Sequence, residues 1–251
     1  MSPTKQKPGF SRLSMLVGDA GLEKLASARV GIFGLGAVGS FAAEALARSG
    51  IEHFRLVDFD SVRPSNLNRQ LLALHSTMGK DKIDLAAGRI TDINPLADID
   101  ARKAFFHVEE AEELLEGLDF VVDAIDSLNP KVMLIAESVK RKIKVVSSMG
   151  AAGRLNPGLV RVTDISEVRG CPLSFLVRKR IHRLGIHEGV TAVWSEEKAS
   201  IPALDDAEMQ DENESESYER GRKRRPLPSS IFGPAAFGLA AAHWVVSNIL
   251  A

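Results

Sequence analysis

The chain of 251 residues has a single cysteine, Cys171. That excludes a disulfide framework and a four-cysteine zinc site, and it fits a reducing compartment. Neither sign of charge dominates: 32 Lys and Arg stand against 33 Asp and Glu, so bulk composition carries no signal for nucleic acid or membrane. The longest apolar run, Ile231 to Val246, is broken by Gly, Pro and His and is short for an integral membrane span. Met1 to Pro8 is polar and lacks the apolar centre of a secretion signal. No segment repeats at a fixed period. What remains is a soluble, cytoplasmic expectation with one large domain over 1–251, long enough for a substantial core.

What is present starts with Val30-Gly31-Ile32-Phe33-Gly34-Leu35-Gly36-Ala37-Val38-Gly39. A short buried strand runs into a glycine-rich turn and then a helix over 40–48. In a βαβ unit the first glycine permits the tight turn and the second admits a phosphate to the backbone. The third lets helix pack on strand, and the helix N-terminus adds free N–H groups and a positive dipole end. Gly34, Gly36 and Gly39 thus read as a nucleotide cradle, without saying which nucleotide.

Upstream, two short helices over 10–26 are interrupted at Gly18-Asp19-Ala20-Gly21. Downstream, strands are expected at 54–58, 98–103, 120–125 and 145–148, with helices over 81–93, 108–116 and 131–141. Strands alternating with helices at this spacing predict an α/β fold with a doubly wound, Rossmann-like, mainly parallel sheet. Beyond Gly150 the pattern changes to a C-terminal antiparallel and helical extension. It comprises an antiparallel pair within 153–162 around Asn156-Pro157-Gly158, a basic helix over 173–184, a strand over 190–195 and an apolar helix over 235–250. Residues 200–230 hold an acidic run and a basic run with few large apolar side chains, the composition of a flexible insertion. The domain then divides into an N-terminal helical arm (1–29), a nucleotide-binding core (30–166) and a substrate and dimer region (167–251).

Asp58 stands nineteen residues after Gly39, at the end of the second strand, where such folds place an acid on ribose hydroxyls. To this point a nicotinamide-dependent dehydrogenase remains open. Ser65-Asn66-Leu67-Asn68-Arg69-Gln70 then puts amides and a cation just after that acid. Lys82 opens the next helix, and Asp126 follows a later buried strand. Carboxyl ends of parallel strands share the edge where ligands bind, so these groups should converge on the glycine turn. Two cations and an acid beside a nucleotide cradle suit a triphosphate with Mg²⁺ better than a hydride carrier. Arg69 and Lys82 would offset phosphate charge, and Asp126 would hold the metal or its waters.

Six segments in order resemble the motifs of the ThiF/MoeB/HesA family, relatives of the ubiquitin-activating enzymes. They are Phe10-Ser11-Arg12, Gly34 to Gly39, Leu56-Val57-Asp58-Phe59-Asp60, Asn66-Leu67-Asn68-Arg69-Gln70, Gly79-Lys80-Asp81-Lys82 and Asp123-Ala124-Ile125-Asp126-Ser127. The likeness spans roughly 10–166 and resumes in the last helix. It implies adenylation of a carboxylate with ATP and Mg²⁺ by a homodimer, with Arg12, Arg69, Lys82 and Asp126 as the catalytic set. Asp58 and Asp60 would flank the ribose and metal region, and Asn66, Arg69 and Lys82 would contact phosphates, with Gln70 and Ser127 in the same cofactor site. Asp126 would coordinate Mg²⁺, and Arg12 would reach across the dimer into the partner's ATP site.

Within the family, Asp123 to Ser127 with Pro130-Lys131, Ser148 to Gly153 with Asn156-Pro157, Val162 to Ile165 and Ser230 to Pro234 look like one branch. Its members dehydrate N6-threonylcarbamoyladenosine at position 37 of tRNA to the cyclic form. That likeness implies tRNA as partner, with Arg178, Lys179, Arg180 and Arg183 and the run Arg220 to Arg225 as candidate phosphate contacts, since net charge is near zero. It also brings in a monovalent cation, K⁺ or Na⁺, near 148–153, and a cysteine desulfurase or its sulfur acceptor as a further partner. The zinc-binding cysteine pairs of sulfur-carrier-activating members are absent, and Ala192-Val193-Trp194 stand where a cysteine would precede Ser195. Both weaken thioester or persulfide chemistry. Gly9 stands where many relatives carry an arginine, and Cys171 where an acid is usual. Two other readings stay open: activation of the C-terminal carboxylate of a sulfur-carrier or ubiquitin-like protein, and a non-catalytic nucleotide-binding partner of a desulfurase system.

Overall fold

The structure, a computed structural model, describes residues 8–200 and 227–251. The expected insertion over 200–230 and the run Arg220 to Arg225 lie outside the described residues, save Ser200 and Leu227 to Ser230.

Helix α1 (Ser11–Ser27) leaves the helical path at Gly18 (φ 73°, ψ 168°), so the two expected short helices are present, joined at that residue. The chain continues through β1 (Arg29–Phe33), α2 (Gly39–Arg48), β2 (His53–Val57), α3 (Lys82–Ile93), β3 (Asp98–Arg102), α4 (Ala111–Leu115) and β4 (Phe120–Asp123). It then forms α5 (Leu128–Lys140), β5 (Lys144–Ser148), β6 (Val160–Asp164), α6 (Pro172–His182), β7 (Thr191–Ser195) and α7 (Phe232–Leu250). Helix α5 begins three residues earlier than expected because Pro130 falls in its first turn, where no backbone N–H is required.

Among the described residues the strands form one sheet in the order β3-β2-β1-β4-β5-β7-β6. All pairings are parallel except β6 with β7. The expected Rossmann-like, mainly parallel sheet is therefore present. The antiparallel pair expected within 153–162 is not. Pro157–Leu159 is a tight 3₁₀ turn capped by Asn156, whose Oδ1 accepts the Gly158 N–H at 2.9 Å. Pro157 has no N–H to give a ladder, and β6 starts only after it, pairing Val160 with Ser195 and Asp164 with Thr191.

Side chains alternate between two apolar layers, as a sheet covered on both faces requires. Val30, Ile32, Val122 and Val146 face a layer built with Leu46, Ile90, Phe237 and Val245. Phe33, Val121 and Val145 face the other, with Leu115, Leu134, Ile135, Val177 and Ile181. The register pairs Phe33 with Val57 on one side and with Asp123 on the other, so β1, β2 and β4 end at a common edge. No helix among the described residues is long and apolar enough to cross a membrane.

Candidate nucleotide site

The glycine turn leaves β1 between its neighbours: the Gly34 N–H donates to Val57 O and the Ala124 N–H to Phe33 O, both at 2.8 Å. Gly34 has φ 91°, and a Cβ there would meet Ala124 O at 2.8 Å. A Cβ on Gly39 would lie 1.7 Å from Gly34 O, so that glycine lets α2 close onto the turn. Gly36 differs. The nearest atom to a Cβ there is Gln70 Nε2 at 3.8 Å, which leaves its outer side open. Beside it, Gln70 Oε1 is buried with no hydrogen-bond partner among the described residues. Buried acceptors nearly always find a donor, and an orphan next to an open glycine suits a site completed by a ligand's hydroxyl or bound water.

Asp58 follows β2 and is buried. Its Oδ2 accepts the Leu35 N–H at 2.5 Å and its Oδ1 the Asp60 N–H at 2.8 Å, tying the glycine turn to the acid. Burial pushes the Asp58 carboxyl above its ordinary value of 3.8, against the pull of Lys82 and the two N–H groups. Lys82 is only 4 % exposed, and its Nζ lies 2.9 Å from Asp60 Oδ2. Asp60 thus anchors the cation expected on phosphates. In the intervening loop Asn66 Oδ1 accepts the Arg63 N–H at 3.1 Å, while Arg69 Nη1 donates to Ser65 O at 2.6 Å and Asn68 Oδ1 at 3.0 Å. Asn66, expected on phosphates, uses its oxygen to shape the loop that carries Arg69.

Asp126 is exposed on the turn after β4, with Ser127 Oγ 3.5 Å from its Oδ1. No group of three or more His, Cys, Asp or Glu side chains gathers as a metal site among the described residues. A single carboxylate beside a phosphate cradle does not suit a protein-only cage. It does suit Mg²⁺, which takes one or two carboxylates and completes its shell with phosphate oxygens and water. In the 148–153 loop, the Gly150 and Gly153 carbonyls accept donors from Arg154 and Ser200.

Two expected groups stand apart. Phe10 packs on Gly50, which precedes β2 at the opposite edge of the sheet, and Arg12 is exposed nearby on α1. Arg178 is committed to structure: its Nη1 donates to Ile165 O, Ser166 O and Val168 O at 3.3, 3.2 and 2.6 Å. Lys179, Arg180 and Arg183 are exposed, and Arg180 also donates to Asn129 Oδ1 at the start of α5.

One group escaped the sequence reading. Lys131, Asp123 and Ser147 form a buried cluster beneath the site, with Lys131 Nζ 2.7 Å from Asp123 Oδ2 and neither side chain exposed. Lys131 stands first in the buried stripe 131, 134, 135, 138 of α5. A lysine at a core position of a helix was the available signal, because lysine is almost never fully buried unless paired.

The ThiF family profile matches residues 10–243. The chain belongs to the ThiF family. Among ThiF-family relatives, the tRNA threonylcarbamoyladenosine dehydratase of Bacillus subtilis is 40 % identical over 96 % of this chain and 94 % of its own length. The Escherichia coli protein of that name is 32 % identical over 96 % of this chain and 93 % of its own. The crystal structure of the E. coli enzyme in complex with ATP superposes with TM-score 0.85 at 30 % identity, covering 97 % of this chain and 94 % of that one. The molybdopterin-synthase adenylyltransferase of E. coli is 37 % identical, but over only 60 % of this chain and 59 % of its own.

Proposed function

We propose that this ThiF-family chain is a single adenylating domain that uses ATP to activate the carboxylate of N6-threonylcarbamoyladenosine at position 37 of tRNA and closes it to the cyclic form. The observation that carries the reading is the meeting of the open Gly36, the orphan Gln70 oxygen, buried Asp58 and the Asp60-anchored Lys82 at one sheet edge. The chain also matches relatives named for this activity over nearly its whole length.

A carboxylate does not expel oxygen unaided at neutral pH. Attack of one carboxylate oxygen on the α-phosphorus releases pyrophosphate and leaves an acyl-adenylate. The adenine N6, the carbamoyl nitrogen remote from the threonine Cα, then attacks the acyl carbon to close a five-membered ring. It loses its proton and AMP leaves with the oxygen, so the modified base is lighter by one water. Asp58 would orient the ribose. Lys82 and Arg69 would stabilise charge growing at phosphorus, where loss of one such contact lowers the rate about 10²–10³-fold. Mg²⁺ held at Asp126 would neutralise phosphate charge. No protein nucleophile is required, and Cys171 is buried at the N-terminal end of α6.

Arg12 lies on the far side from its own chain's glycine turn, on a helix exposing Met15 (88 %) and Leu16 (81 %), which supports a homodimer in which Arg12 serves the partner's site. Lys179, Arg180 and Arg183 would meet tRNA phosphates. Activation of a carrier protein's carboxylate is the second reading, favoured by the likeness to the molybdopterin-synthase adenylyltransferase over 60 % of this chain. Incubation with ATP, Mg²⁺ and tRNA carrying the modified base, followed by nucleoside mass analysis, should show loss of one water. An unchanged base, with pyrophosphate exchange stimulated instead by a carrier ending in Gly-Gly, would establish the second reading.

A further inference from the structure

Two fully buried charges beneath the site, Lys131 and Asp123, have no part in the chemistry above. Lys131 Nζ lies 2.7 Å from Asp123 Oδ2, and Ser147 Oγ donates to that oxygen at 2.6 Å while accepting from Lys131 at 3.2 Å. The other oxygen, Asp123 Oδ1, accepts the Ile125 N–H at 3.1 Å. On the outer side of the same turn, Ala124 O would touch a Cβ at Gly34 at 2.8 Å. The turn carrying Asp126 is therefore clamped between the glycine turn and the Asp123 carboxylate.

A buried ion pair adds little stability over an apolar pair of the same volume, and a leucine would suit the first place of the 131, 134, 135, 138 stripe. An apolar pair cannot accept the Ile125 N–H. We propose that Lys131, acting through Asp123, is a positioning residue that fixes the 124–127 turn and with it the aim of the Asp126 carboxylate at the metal of MgATP. The inference rests on the adenylation reading of this site, and the wild-type control separates the two.

The test uses Ser147→Ala, Lys131→Met and the charge-retaining Lys131→Arg in the full chain. It has three readouts: hydrogen exchange at Ile125 without nucleotide, ATP affinity with Mg²⁺ and with EDTA, and melting temperature. Partners that orient a metal-binding group are typically worth about 10–100-fold in metal affinity. Lys131→Met should therefore speed Ile125 exchange and shrink the Mg²⁺-dependent gain in ATP affinity at least roughly tenfold, with affinity in EDTA unchanged. Ser147→Ala should do the same more weakly, and Lys131→Arg should restore both. A lower melting temperature with Ile125 exchange and the Mg²⁺ gain as in wild type makes Lys131 merely structural and overturns the proposal. If Lys131→Met does not fold, Ser147→Ala decides alone by the same two readouts. A wild-type chain that gains no ATP affinity from Mg²⁺ refutes the metal role of Asp126 and this proposal with it. A normal wild-type gain that survives in the variants refutes the proposal only.

Discussion

Alanine at Gly39 and alanine at Gly36 should fail in different ways, because the two glycines meet different surroundings. A Cβ at position 39 would stand 1.7 Å from Gly34 O and 2.8 Å from Gly34 C, inside the 3.0 Å floor of real Cβ contacts. Both neighbours are backbone. Gly34 is itself fastened to Val57 O and pressed against Ala124, so it has nowhere to retreat. Relief requires the first turn of α2 to move off the strand by more than about 1 Å, and overpacking of this kind costs about 1–3 kcal/mol. For a chain of this size that corresponds to a fall in Tm of roughly 2–12 °C. A shift of about 1 Å in groups that position a substrate can also lower the rate about 10²-fold.

Alanine at Gly36 meets only Gln70 Nε2 at 3.8 Å, ordinary contact, so Tm should hold. Its methyl would instead occupy the open side of the turn, where the phosphates would approach the backbone. Loss of one hydrogen bond to a charged group there weakens ATP binding about 10–100-fold. Thermal melting, nucleotide titration and ATP–pyrophosphate exchange on the two variants give the comparison. ATP binding by Gly36→Ala as tight as wild type would refute the path of the phosphates over that glycine. A Gly39→Ala chain that melts and turns over like wild type would refute the close-packing argument.

Two further expectations follow from charge. Burial holds the Asp58 carboxyl above 3.8, and in the proposed ribose role its ionised form would be the one that accepts the hydroxyls. ATP affinity, measured against Asp58→Asn to remove titration of the nucleotide itself, should therefore fall on acidification with a midpoint above 3.8. Because Lys82 pulls that carboxyl down, Lys82→Met should move the midpoint upward. A raised native value means that this group's contribution to stability is full below the unfolded value and lost as pH rises through the native one. The acid loss of binding is then not unfolding driven by Asp58, and a flat affinity down to pH about 4 would refute its role. On α6, Lys179→Glu or Arg183→Glu should weaken tRNA binding and lower the slope of log K against log salt by about 1, with Tm unchanged. Arg178→Glu should lower Tm, because it strips donors from the 165–168 carbonyls. A salt slope unmoved by either exposed substitution would remove α6 from the tRNA surface.

The candidate nucleotide edge was legible because its parts are local. Each of the glycine turn, Asp58 and Lys82 sits at an element boundary that its own neighbourhood in sequence announces, and a parallel sheet brings strand ends together without further information. What was hidden depends on partners distant in the chain. The course of β6 was missed because its pairing partner, β7, lies some thirty residues onward, and no local periodicity encodes that distance. Arg178 read as a candidate phosphate contact, since a guanidinium on a helix looks the same in sequence whether it faces solvent or three carbonyls. Lys131 is the instructive case, because burial there follows from its position rather than from its type. Val132, Leu134, Ile135 and Ser138 define a stripe that turns Lys131 toward the sheet, and an ammonium taken from water needs an acid within reach. The strand beneath ends at Asp123, whose side-chain parity matches Val121 on the α5 face. That parity singles out Asp123, and leaves Asp126 on the exposed turn, as the partner of the buried lysine. Of the two acids in Asp123-Ala124-Ile125-Asp126, then, the first is committed to holding the turn, and the proposed metal role falls to the second, on the exposed side.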